Sequence, residues 1–151
     1  MSRRLRRLLD EGRLRPHRTD AREVADLLAV AERDIADAGV MAVSLDRRFA
    51  TAYSAALQFA TIVLYASGYR ASAQRGHHAV TIAVLPELLG DEAKALAAYL
   101  DSCRSLRNMS DNDRVGAVSE RDVLDLLAEV EAFRDRVCCW LRSHHPDLLS
   151  P

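Results

Sequence analysis

At 151 residues the chain suits one domain with one core, and its 49% apolar content is enough to build that core. Charged residues make up 28% and nearly cancel, to a formal net charge of −1, which excludes a disordered polyelectrolyte and a protein that is basic over its whole surface. Aromatic residues are only 5% and alanine and leucine dominate, which favours helices packed through small side chains over a β-sandwich.

The balance of charge hides an asymmetry. Residues 1–18 hold seven arginines (Arg3, Arg4, Arg6, Arg7, Arg13, Arg15, Arg18) against Asp10 and Glu11, a net of +5. The whole chain carries −1, so the remainder carries −6. Leu5, Leu8 and Leu9 between these arginines suit a short amphipathic helix from Arg3 to Asp10, ending near Gly12. Two readings stay open for it: a solvated end drawn to the acidic body of the same protein, and a phosphate-binding surface. A loop through Pro16 follows.

The second helix starts at Asp20, with Glu23 three residues on as in a capping box. Val24, Leu27, Leu28, Ala31 and Ile35 share a face, and Arg22 with Asp26 and Arg33 with Asp37 have i,i+4 spacing. Gly39 is the expected stop. Ser44 caps the third helix, which runs to about Ser67 and ends at Gly68. Phe49 to Tyr69 is 21 residues without a charge, close to the roughly 20 that span a bilayer. Its Thr51, Ser54, Gln58, Thr61 and Tyr65 form one polar stripe, so the expectation is a central core helix and no membrane partner.

The connector from Gly68 to Gly76 is polar and carries Arg70 and Arg75. A fourth helix is expected from His77 to Leu85; its β-branched residues suit a strand too, but no partner strand is visible. Asp91 caps a fifth helix that turns Leu96, Tyr99, Leu100, Cys103 and Leu106 inward and frays near Ser110. Ser119 caps the sixth, whose Val123, Leu126, Leu127, Val130, Phe133, Val137 and Trp140 face the core. Together these imply an all-α, up-and-down four-helix bundle with additional short helices. The expected organisation is a basic segment over 1–18, the bundle over 19–145 and a tail over 146–151.

Metal chemistry is not expected. His77–His78, Cys138–Cys139 and His144–His145 are adjacent pairs, and adjacent helical residues point about 100° apart, so neither member helps the other chelate. Three cysteines, two of them adjacent, make a poor disulfide framework and suit a reducing, cytoplasmic setting; the N-terminus lacks the apolar stretch of a signal peptide. The glycines form no phosphate loop, so no cofactor is expected.

The strongest constellation lies on the fifth helix. Arg104, Arg107, Asn108 and Asp111 fall at i, i+3, i+4 and i+7 and share one face. That arrangement reads equally as a solvent face with an Arg104–Asp101 pair, or as two guanidiniums and an amide aimed at a phosphodiester.

With these residues the chain resembles the HEPN-domain family, in particular small bacterial HEPN proteins of the actinobacterial type. The resemblance runs from roughly Asp20 to Leu141. It is carried by Ala52-Tyr53-Ser54-Ala55-Ala56-Leu57 through Tyr65-Ala66-Ser67-Gly68-Tyr69-Arg70, by Gly76-His77-His78, and by Tyr99 through Arg104 to Arg107-Asn108. The family signature is an Arg, a polar residue and, four to six positions on, a His. Arg107 and Asn108 match its start; Asn112, Asp113 and Arg114 stand where the His belongs. The resemblance implies a helical homodimer engaged with RNA, as a metal-independent endoribonuclease or toxin component of a toxin–antitoxin or defence system. The catalytic residues it points to are Arg107, Asn108, Asp113 and His78, with Arg104, Arg70, Arg75 and His77 binding phosphate. The missing histidine keeps a second reading open, an inactive module that binds a nucleotidyltransferase-like or antitoxin partner or a nucleotide.

Overall fold

A computed structural model describes residues 1–73, 76–112 and 116–150, with the side chains of residues 110–112 not described. Arg75 and Asp113 lie outside the described residues, as does the side chain of Asp111. The fold is mostly helical, as expected. Four long helices form its body: α2 (Ala21–Ala38), α3 (Leu45–Ala66), α6 (Lys94–Asn112) and α7 (Glu120–His144). Shorter α1 (Arg3–Asp10), α4 (His77–Ala83) and α5 (Leu85–Leu89) flank them.

The ends of these helices follow from their capping chemistry. Ser44 accepts the Arg47 N–H to open α3, and Ser119 and Asp122 form a reciprocal capping box that opens α7. At α2 the box is only half made. Asp20 accepts the Glu23 N–H at 2.8 Å, but the Glu23 carboxylate turns instead to His17 and the Thr19 hydroxyl, 2.7 Å from each. Neither expected i,i+4 pair on α2 forms. Arg33 reaches its neighbour Asp34 at 3.1 Å, drawn by a carboxylate that α2 buries.

That carboxylate is a polar core element the hydrophobic pattern did not signal: it accepts the Ser54 hydroxyl of α3 at 3.0 Å. A second is Arg48, 3% exposed, whose Nε donates to the Ala38 carbonyl at 2.8 Å and satisfies the C-terminal end of α2.

Helix α3 passes the length test for a membrane span, with mean hydropathy 1.4. Its position explains the apolar content: α2, α6 and α7 all pack on it, and Phe49, Ala52, Tyr53, Ala56, Phe59 and Val63 are buried against them. The polar stripe from Thr51 to Tyr65 stays half-buried at its edge.

Four local expectations are corrected. Residues expected as loop form strands: β1 (Leu14–Pro16) pairs antiparallel with β2 (Tyr69–Ala71), in the register Leu14↔Ala71, Arg15↔Arg70, Pro16↔Tyr69. The fourth helix ends at Ala83, because Pro86 restarts the chain in α5. Asp91 begins a 3-10 turn rather than capping a helix, and α6 then continues to Asn112. After Pro146 the chain makes another 3-10 turn, which carries Leu148 into the core beside α2 and α7.

The ladder brings α1 onto the body. Leu5, Leu8 and Leu14 join Leu64, Val80 and Val84 in a second apolar cluster, and each leucine so buried contributes roughly 1.5–3 kcal/mol. The N-terminal segment is thus a packed element whose arginines point outward.

Candidate functional site

Gly76, at φ 87°, makes the left-handed step that ends the connector and starts α4 with two histidines. The rings of His77 and His78 sit edge to face, 4.1 Å apart. Helix α4 packs on α6, and between them a cleft of about 320 Å3 is lined by Gly76, His77, His78, Ala79, Arg104 and Asn108.

Four of the eight residues expected at a site therefore converge, from two separate elements. Arg104 makes the expected pair with Asp101, 3.1 Å away, and still faces the cleft. Both partners are solvent-accessible, and such exposed pairs hold by only about 0.2–1 kcal/mol. Arg104 is therefore available to a bound anion.

Arg107 is placed differently from the expectation. It does not line the cleft; it lies over the Tyr53 ring of α3, 5.8 Å from the centroid. Its charge is still felt in the cleft. His78 titrates below the ordinary imidazole value, first because burial disfavours its charged form, then because His77, Arg107 and Arg104 repel an added proton. At neutral pH His78 is therefore an uncharged base. Arg70 sits exposed on β2, opposite Arg15 and away from the cleft lining.

Tyr53 is the residue that sequence reasoning missed. It is 1% exposed, and its hydroxyl has no hydrogen-bond partner among the described residues. Burial pushes its pKa up to about 12, against the pull of Arg104 and Arg107 in the other direction. Within an alanine-rich apolar run it looks like any core ring, and only the chain's return as α6 puts the Arg107 guanidinium above it.

Residues 36–138 match the SAV_6107-like HEPN family. The chain belongs to the HEPN family. No curated protein and no solved structure matches it. The HEPN match starts near the end of α2 and runs into α7, so it takes in Tyr53, the histidine pair and the α6 face, while α1 and β1 lie before it.

The Cys103 thiol of α6 is buried in this HEPN domain. Burial pushes the Cys103 thiol up to about 11, so it stays protonated at neutral pH. Among the described residues no group of three or more His, Cys, Asp or Glu is placed to hold a metal ion.

Proposed function

We propose that this HEPN protein binds single-stranded RNA in the α4–α6 cleft and cleaves it there without a metal, as the toxin-like half of a bacterial two-gene system. The observation that supports the reading is the convergence of an uncharged His78 with Arg104 and Asn108 in one cleft. It supplies the imidazole that the motif position lacks. His78 takes the proton of a ribose 2′-hydroxyl, and the 2′-oxygen then attacks the adjacent phosphorus. The bond from phosphorus to the 5′-oxygen breaks, and the leaving oxygen takes up a proton delivered through His77, which lines the same cleft. The products are a 2′,3′-cyclic phosphate and a free 5′-hydroxyl. Arg104 and the Asn108 amide hold phosphate oxygens, while Arg107, seated on Tyr53, adds positive field from one side. In this reading the protein works as a cytoplasmic homodimer, with two clefts brought side by side.

The test is incubation of purified protein with labelled single-stranded RNA in a chelator. Wild type should yield cyclic-phosphate ends, His78→Ala should lose cleavage while keeping its helical circular dichroism, and Arg107→Ala should be strongly impaired. Cleavage undiminished in both variants ends the proposal.

A second reading has its own observation, since residues 109–114 contain no histidine. It makes the protein a non-catalytic module for a nucleotidyltransferase-like partner or a nucleotide. RNA that stays intact, beside tight binding of such a partner, favours it.

A further inference from the structure

A second cavity, of about 530 Å3, lies between α1, the α4–α5 segment and α6. Its lining includes the small apolar side chains of Ala83, Ala97 and Ala98. Its rim carries Arg4, Arg7, Arg13 and Lys94, against Glu87 and Asp101. Arg4 and Arg7, three residues apart, share a face of α1, and the burial of Leu5 and Leu8 beneath them fixes which way that face looks. Beside the rim the ladder sets Arg15 directly opposite Arg70, both exposed, a like-charge pairing that costs stability.

These arginines are not absorbed by the protein's own acids. Among the described residues, no carboxylate is in ion-pair contact with Arg4, Arg7, Arg13, Arg15 or Arg70. Nor is a basic lining general to the surface: a cavity of about 430 Å3 on α2 is lined by Asp20, Glu23 and Asp26 beside Arg22. The basic cavity also adjoins the α4–α6 cleft. Ala79 lines both, and the Asp101–Arg104 pair bridges them, Asp101 in one and Arg104 in the other.

A small anion would satisfy one or two guanidiniums. A row spread over a helix and a strand, open to solvent and running into a phosphate-suited cleft, matches a ligand with repeating phosphates. We infer that Arg4, Arg7, Arg13, Arg15 and Arg70 extend the RNA path, gripping the backbone of the strand that occupies the α4–α6 cleft. The inference rests on the RNA reading proposed above. It gives the segment before the HEPN match a task of its own, as an electrostatic grip that sets how much strand is held.

The experiment uses the full chain, fluorescence anisotropy and single-stranded RNAs of about 5 and about 20 nucleotides, titrated over a range of salt in chelator. The triple variant Arg4→Ala/Arg7→Ala/Arg13→Ala should bind the long RNA at least about tenfold more weakly, with a slope of log affinity against log salt shallower by about 2. The short RNA should bind it as it binds wild type, and Arg→Lys at the same positions should keep the slope. Unchanged affinity and slope for the long RNA overturn the inference while leaving the cleft reading intact. Loss in the triple variant with none in Arg104→Ala and Arg107→Ala overturns the cleft reading, and with it the claim that the arginines extend a path through that cleft. A wild type that binds neither RNA overturns both. Polyglutamate that binds wild type as tightly as the long RNA, and is lost equally in the triple variant, makes the surface a protein site and overturns the inference.

Discussion

The Arg107 guanidinium stands 5.8 Å from the centre of the Tyr53 ring, tying α6 to α3 beside the cleft. A cation on an aromatic face contributes roughly 0.5–2 kcal/mol, the more so the less water reaches it. The phenol keeps its proton far above neutrality, so the platform that Tyr53 offers is itself neutral. The platform orients a cation that the cleft senses without touching.

That geometry makes a prediction about the phenol. Among the described residues the buried Tyr53 hydroxyl has no partner, so it gains nothing there to offset its lost hydration. Tyr53→Phe should leave stability unchanged or raise it by about 1 kcal/mol in urea unfolding, whereas Tyr53→Ala should cost about 3–5 kcal/mol. Destabilisation by Tyr53→Phe of more than that margin would mean that the hydroxyl is satisfied.

The sign of the His78 shift sets its pH dependence. The folded state holds the imidazole below its ordinary value, so over the interval between the two values the unfolded chain binds more protons. Its contribution to stability is full above the ordinary imidazole value and is lost as pH falls through that value toward the folded one. The His78 ring resonances should titrate below pH 6.5 in NMR, and Arg104→Ala should move the midpoint upward. The cleavage rate should hold its plateau down to that midpoint; a midpoint above 6.5 contradicts the assignment of His78 as a neutral base.

Opposite effects are expected from the two partners of the rim pair. Arg104→Ala should weaken RNA binding and make the salt slope shallower by about 0.7, one phosphate contact on a single strand. Asp101→Ala releases Arg104 from its 3.1 Å pair and removes a negative charge from between the two cavities, so affinity should rise. Weaker binding in Asp101→Ala would show that the carboxylate orients Arg104 rather than competing for it.

The buried contact between α2 and α3 is testable by stability alone. Asp34→Ala removes the acceptor of the Ser54 hydroxyl and should cost about 2–3 kcal/mol, while Ser54→Ala should cost about 1. The double variant should cost less than the sum of the two. Strict additivity in urea melts would show that the hydrogen bond carries no coupling.

The long helices were legible because each repeats a simple pattern between good caps: Ser44 and Ser119 mark starts, and Val123, Leu126, Val130, Phe133 and Val137 repeat a buried face. What stayed illegible was long-range. Leu14–Pro16 and Tyr69–Ala71 are too short to announce themselves as strands, and their pairing depends on the 52 residues between them that fold elsewhere. Asp34 reads as one more surface acid until Ser54 arrives from α3. On the site, helical spacing put Arg104 and Asn108 on one face, and they do share a cleft. The same spacing could not separate Arg107 from them, because the neighbour that draws it aside, Tyr53, lies on another helix. His77 and His78 stand out in the sequence as an adjacent pair, but only tertiary packing of α4 on α6 places them across from Arg104.

The two-stranded ladder has a consequence for handling the molecule. Ala71 is clamped to Leu14 only five residues before Gly76, the left-handed glycine that starts the helix bearing the histidines. Trimming the amino-terminal arm as a dispensable basic appendage would strip the covering leucines from Val80 and Val84 and leave Tyr69–Ala71 as a bare edge. A shortened protein that loses activity would then report a collapsed scaffold, and point substitutions are the cleaner instrument for asking what its arginines do.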